Sequence, residues 1–135
     1  MQPPAPLSAA WPRLVLGSTS VYRRELLSRF GLPFDVCGPQ VDESPLPDEA
    51  PHALAQRLAQ AKARAVAAQY PGDDVVVIGS DQVANLQGRC LGKPGDLAGA
   101  RAQLQAMRGH TVVFHTALSV LRPHTGHVAV WVVDV

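Results

Sequence analysis

Charge is in short supply in this 135-residue chain: Asp, Glu, Lys and Arg make up 17% of it, below the roughly 25% usual for soluble proteins, while hydrophobic residues make up 47%. Much of the chain is therefore expected to be buried. The two signs almost cancel, to a formal +1, and no basic run with interleaved aromatics appears, which excludes a long-range pull on nucleic acid. Any anion recognition has to be local. Cysteine is nearly absent too: Cys37 and Cys90 stand far apart and outside any Cys-x-x-Cys pattern, which argues against a disulfide framework and a zinc cluster and for free thiols in a reducing compartment. No signal-peptide pattern is visible and no apolar run is long enough to span a membrane, so the cytoplasm is the expected location. Also missing are a Gly-x-Ser-x-Gly elbow, a Walker loop and a Gly-x-Gly-x-x-Gly turn, which removes the commonest hydrolase and nucleotide-fold explanations.

What is present fits one domain, 13–135, behind a loose Pro-rich arm at 1–12. Leu14 to Leu16 begins a short buried strand. A helix follows over about Val21 to Phe30, with Leu26, Leu27 and Phe30 as its inward stripe and Gly31 and Pro33 as its stop. Phe34 to Cys37 reads as a further strand, and the stretch with Pro39, Pro45, Pro47 and Pro51 as a long loop of the kind that carries function. From about Pro51 to Tyr70, Leu54, Leu58 and Val66 recur at multiples of four, as in an amphipathic helix. Val75 to Ile78 is an unbroken β-branched run, the pattern of a central strand covered on both faces and followed by a turn of small residues. Gly88 and Gly92 punctuate a loop or hairpin, Asp96 caps a helix with Leu97, Leu104 and Met107 inward, and Arg-Pro-His-Thr-Gly joins two β-rich runs, Thr111 to Leu121 and His127 to Val135, into a long hairpin. The last run meets no turn, cap or polar edge before Val135, which suggests a truncated protein incomplete at its C-terminus.

Candidate chemistry begins at the first helix, where Arg23 and Arg24 have the wrong sign. A helix N-terminus already carries about half a positive charge, so cations there cost about 0.3 to 1 kcal/mol each unless a negative partner compensates. The first-turn N–H groups, the hydroxyls of Ser18, Thr19 and Ser20 and two guanidinium forks can together wrap an anion bearing several phosphates. The alternative is that Ser18 or Ser20 only caps the helix. Asp81 follows the buried strand, where it either takes a proton from water, holds a divalent cation that does so, or merely ties down its turn. Lys62 lies on the apolar stripe of its helix and either snorkels to water or serves a ligand. Lys93, between Gly92 and Pro94, suits a phosphate or is an exposed loop lysine. The pair Asp42-Glu43 either binds a hard cation such as Mg²⁺ or is solvated. His124 and His127 have no acidic or Cys partner at ligand spacing.

Taken together, Ser18-Thr19-Ser20-x-x-Arg23-Arg24-x-Leu26-Leu27, Val41-Asp42-Glu43, Leu58-Ala59-x-x-Lys62-Ala63, Gly79-Ser80-Asp81-Gln82 and Gly92-Lys93-Pro94 resemble, in order and spacing, the Maf family of nucleoside triphosphate pyrophosphatases. The resemblance covers roughly residues 13 to 122. It implies an α/β fold, a Maf/ITPase-like mixed sheet flanked by helices with a long β-hairpin. It also implies metal-dependent hydrolysis, with Mg²⁺ or Mn²⁺, between the α and β phosphates of a nucleotide in the cytoplasm. The implied roles are Ser18, Ser20, Arg23, Arg24, Lys62 and Lys93 as phosphate contacts, Glu43 as metal or water ligand, and Asp81 as proton acceptor. Gln82, after that Asp, is like the branch acting on 7-methyl-GTP, whereas the dTTP and UTP branch carries Thr. Tyr22 stands where that first branch usually has Trp, and an aromatic face attracts a cationic 7-methylguanine ring by about 0.5 to 2 kcal/mol. A homodimer, with no nucleic acid or membrane partner, is the expected assembly. The other readings are a dTTP/UTP pyrophosphatase and a nucleotide-binding regulator of cell division without turnover.

Overall fold

A computed structural model of the chain describes residues 11–92 and 94–135. Residues 1–10 of the Pro-rich arm, and Lys93, lie outside the described residues. Nine elements follow in order: β1 (Arg13–Gly17), α1 (Val21–Ser28), β2 (Asp35–Cys37), α2 (Pro51–Ala67), β3 (Val75–Leu86), β4 (Arg89–Leu91), α3 (Leu97–Met107), β5 (Val112–Arg122) and β6 (His127–Asp134). The strands form one mixed sheet in the order β2-β1-β3-β5-β6, with β4 hairpinned onto the far end of β3. β1 runs parallel to β2 and β3, and the other pairings are antiparallel. The structure shares its mixed α/β class with the expectation from sequence, long hairpin included.

Burial of one sheet face under α2 supplies the core. Leu54, Ala55, Leu58 and Ala59 of the helix pack on Val83 and Ala117, and Ala63 and Val66 pack on Val15, Val75 and Val77. The four-residue recurrence in α2 has thus found its partner, because a helix presents positions four apart on one face. Gly79 sets how close the two layers come. A Cβ there would run into the carbonyl oxygen of Ala59 and lie 2.8 Å from the amide nitrogen of Ala63, so only glycine lets β3 touch the backbone of α2.

Three expectations are corrected. The strand predicted over Val75 to Ile78 does not turn at Gly79; it continues to Leu86 because β5 pairs with it all along, from Val77↔Leu121 to Leu86↔Val112. Nor is it covered on both faces: Val75 and Val77 are fully buried beneath α2, while Val76 and Ile78, pointing the other way, are half-buried. The predicted inward stripes of α1 and α3 are not buried. Phe30 is 74% exposed and Leu97 69%, and neither helix contains a buried residue, since no described element packs over their apolar sides as the sheet does over α2. An apolar stripe is buried only when a second surface meets it.

Candidate active site

β1 and β3 run side by side up to the pair Gly17↔Gly79, and there β1 ends while β3 goes on. Between Gly79 and the start of its pairing with β4 at Ala84, the strand therefore has no neighbour on that side. Ser80, Asp81, Gln82 and Val83 border the gap, and the chain leaving β1, Gly17 to Ser20, forms the opposite wall. A cleft at the carboxyl end of a parallel strand is where open α/β sheets place ligands. Here it is a cavity of about 870 Å³, within the size range of small-molecule sites. Leu54 and Leu58 of α2, Val83 and Leu91 give it apolar surface, and the loop at 38–50 closes one side with Val41, Glu43 and Pro45.

Two carboxylates that line this cavity converge on one lysine. Lys62 Nζ lies 2.8 Å from Asp81 Oδ1 and 2.8 Å from Glu43 Oε1, so one ammonium joins residues from α2, β3 and the loop. The lysine side chain is 13% exposed and that of Asp81 10%. Burial disfavours the charge on Lys62, but its hydrogen bonds to Asp81 and Glu43 outweigh this and raise its pKa above the ordinary lysine value. Its head is not snorkelled into bulk water.

At the start of α1, Ser18 is buried and its Oγ accepts from Ser20 N at 3.0 Å, while Ser20 Oγ caps the helix by accepting from Arg23 N at 3.3 Å. Capping and a cavity position coexist, because Ser18, Thr19, Ser20 and Arg23 all line the cleft. Arg23 donates through Nη1 to the Ser80 carbonyl at 3.4 Å, which turns its guanidinium toward the gap. Gln82 also lines the cavity, and its Nε2 donates to Thr116 Oγ1 at 3.0 Å on β5.

The structure thus brings together Ser18, Ser20, Arg23, Glu43, Lys62, Asp81 and Gln82. Arg24 and Tyr22 are not brought in: both are exposed on α1 and neither lines the cavity, Tyr22 being 68% exposed. Lys93 lies outside the described residues. Sequence reasoning missed the apolar walls, because Leu54 and Leu58 carry the same four-residue signal as a core.

Glu43 Oε1 and Asp81 Oδ1 both point at the Lys62 ammonium, so a divalent cation would be held by these two carboxylates beside Lys62 and, as Mg²⁺ commonly is, together with substrate phosphates. Among the described residues no group of three or more His, Cys, Asp or Glu side chains could hold a metal without such help.

The profile described as Maf-like protein matches residues 13–135. A protein of Aromatoleum aromaticum named 7-methyl-GTP pyrophosphatase is 58% identical over 118 residues, covering 87% of this chain and 60% of that protein. Proteins of the same name from Xanthomonas oryzae pv. oryzae and a Polaromonas species are 62% and 65% identical over 83% and 80% of this chain, taking in 58% and 48% of their own lengths. The chain therefore spans roughly half to three-fifths of the length of these curated relatives. Among solved structures, a nucleoside-triphosphatase / dITP/XTP pyrophosphatase of Mycobacterium abscessus superposes with a TM-score of 0.53 at 18% identity, over 90% of this chain and 71% of that one. A HAM1 protein of Coxiella burnetii does so with 0.52 at 10% identity, over 92% and 72%. At such identities the likeness is one of fold.

Proposed function

This chain belongs to the Maf family, and from that membership and the cavity's geometry we propose that it hydrolyses 7-methyl-GTP between the α and β phosphates, giving 7-methyl-GMP and pyrophosphate. The single observation that carries the reading is Lys62, held at 2.8 Å from both Asp81 and Glu43 inside a cleft rimmed by Ser18, Ser20 and Arg23. Arg23, the hydroxyls and a helix N-terminus on one wall suit a triphosphate, and the paired acids bridged by Lys62 suit water activation beside a phosphate. The relatives' name supports this substrate, and Gln82, which the family resemblance links to the 7-methyl-GTP branch, lines the cavity.

In this mechanism Arg23 and Lys62 neutralise the phosphates, and the Ser18 and Ser20 hydroxyls orient them. Asp81 accepts the proton of the attacking water as its oxygen bonds to the α phosphorus, and the bridging oxygen departs with the pyrophosphate. Glu43 and Asp81 would hold a divalent cation, which when bound supplies countercharge to the phosphates and makes nearby water more acidic. Fixed countercharge in a partly buried site stabilises the transition state more than water does, because it does not have to reorient as charge develops. Arg24, Tyr22 and Lys93 enter this proposal through the family resemblance alone. Cys37 and Cys90, both free, support a cytoplasmic location.

A panel of triphosphates incubated with the protein and Mg²⁺ or Mn²⁺ tests the proposal. Pyrophosphate should come preferentially from 7-methyl-GTP, and Asp81→Asn should bind the nucleotide without cleaving it. No pyrophosphate from 7-methyl-GTP refutes the assignment.

A further inference from the structure

Glu43 belongs to a loop, 38–50, without a ladder of its own: it carries Pro39, Pro45 and Pro47, and Asp48 takes a left-handed φ of 59°. Backbone groups in such a segment have to find side-chain partners or water. The Leu46 amide and the Ser44 carbonyl find theirs in one ion pair standing behind the cavity, outside its lining. Arg57 of α2 donates through Nε to Glu49 Oε2 at 2.7 Å and through Nη2 to Glu49 Oε1 at 2.9 Å, and the same Nη2 donates to the Ser44 carbonyl at 3.0 Å. Glu49 Oε1 in turn accepts from Leu46 N at 3.0 Å, and Asp42 Oδ1 accepts from Ser44 N at 2.9 Å. Both the N–H and the carbonyl of Ser44, immediately after Glu43, are thereby held.

Two features set this apart from an ordinary surface ion pair. Glu49's side chain is only 8% exposed, and its contact with Arg57 is the two-pronged kind that fixes orientation as well as distance. The helix that presents Arg57 also presents Lys62, the residue that Glu43 meets at 2.8 Å. The anchor of the loop and the target of its carboxylate are thus on one rigid body.

We infer that Arg57 and Glu49 form a positioning pair, which holds the loop at 38–50 so that Glu43 is delivered to Lys62 and Asp81. The pair touches neither substrate nor metal; it acts through Glu43, and its effect on turnover rests on the proposed pyrophosphatase reading. The hydrogen bonds from Arg57 also keep the Glu49 carboxyl below the usual carboxylate range, so the clamp is charged throughout the neutral pH range.

Arg57→Met keeps the aliphatic stem and removes the fork. Hydrogen exchange at the Leu46 amide should then speed up by about tenfold while the α2 amides keep their protection. Turnover of 7-methyl-GTP should fall by about 10- to 100-fold in kcat with little change in KM, as when a residue supporting a ligand is lost. In a Glu43→Gln background the same change should cost nothing more. Arg57→Lys, which keeps the charge but cannot span Glu49 and Ser44 together, should fall between. If Arg57→Met does not fold, Glu49→Gln carries the same exchange and turnover arms. Unchanged exchange at Leu46, or losses from the Arg57 and Glu43 variants that multiply, would overturn the inference. A wild type inert toward every triphosphate sinks the pyrophosphatase reading instead, and the exchange arm still decides the clamp.

Discussion

Replacing Gly79 by Ala adds one methyl group at the point where β3 and α2 meet backbone to backbone. Gly79 does not have a positive φ, so the strand conformation accepts alanine, and the restricted unfolded chain would by itself stabilise the variant by about 0.4 to 1 kcal/mol. Space decides the outcome. The new Cβ would collide with the Ala59 carbonyl and lie 2.8 Å from Ala63 N, and neither neighbour is a flexible side-chain end that can swing away. Relief requires α2 to back off by roughly 0.5 to 1 Å, a gap that forfeits a quarter to a half of each contact's attraction. The contacts at stake are those of Leu58, Ala59, Ala63 and Val66 with the sheet, and overpacking of this kind costs about 1 to 3 kcal/mol, more than the entropic gain. A net loss of about 1 to 2 kcal/mol lowers the melting temperature of a domain this size by roughly 4 to 7 °C. The same displacement carries Lys62 away from Asp81, so pyrophosphate release should fall further than stability alone accounts for. Thermal melts by circular dichroism and a pyrophosphate assay read both effects. Gly92→Ala is the stability control, because nothing lies within 4 Å of a Cβ there. A Gly79→Ala protein that melts with the wild type and keeps its turnover refutes the argument that close approach of these layers sets the site.

Chelation with EDTA should stop pyrophosphate release and added Mg²⁺ or Mn²⁺ restore it; release undiminished in EDTA removes the cation from the mechanism. Gln82→Thr should lower the preference for 7-methyl-GTP over dTTP by at least about tenfold in kcat/KM, and an unchanged ratio would show that Gln82 does not read the base. At alkaline pH, Lys62 has a folded pKa above its unfolded one, so its contribution to stability is complete below about 10.4 and is lost as pH rises through the raised value. Lys62→Met should lack that alkaline loss in urea titrations. At the acid end, hydrogen bonds from Arg57 and Arg122 lower the pKa values of Glu49 and Asp74; their contributions are complete above the unfolded pKa values of about 4 and are lost as pH falls through the folded ones. An acid transition unmoved by Arg122→Met would refute the Asp74 part.

What the sequence determined by itself was local. The β-branched run at Val75 to Ile78 had to be strand, the recurrence of Leu54, Leu58 and Val66 had to be helix, and Asp96 does cap α3, with its carboxylate 2.7 Å from Gly99 N. Arg-Pro-His-Thr-Gly does close the β5–β6 hairpin. These signals lie within a few residues of one another, as do the hydrogen bonds and faces they encode. The spacing of the five motifs also held the family likeness. Tertiary structure alone decided which surfaces and charges meet. That β3 runs on past Gly79 depends on β5, more than thirty residues away, and that Leu26, Phe30 and Leu97 stay exposed depends on what packs over them. Lys62 shows the division most plainly. Its place on an apolar stripe was legible, but whether its ammonium reached water or two carboxylates turned on the contact between Gly79 and the helix backbone, and a single chain position carries no record of its distant neighbours.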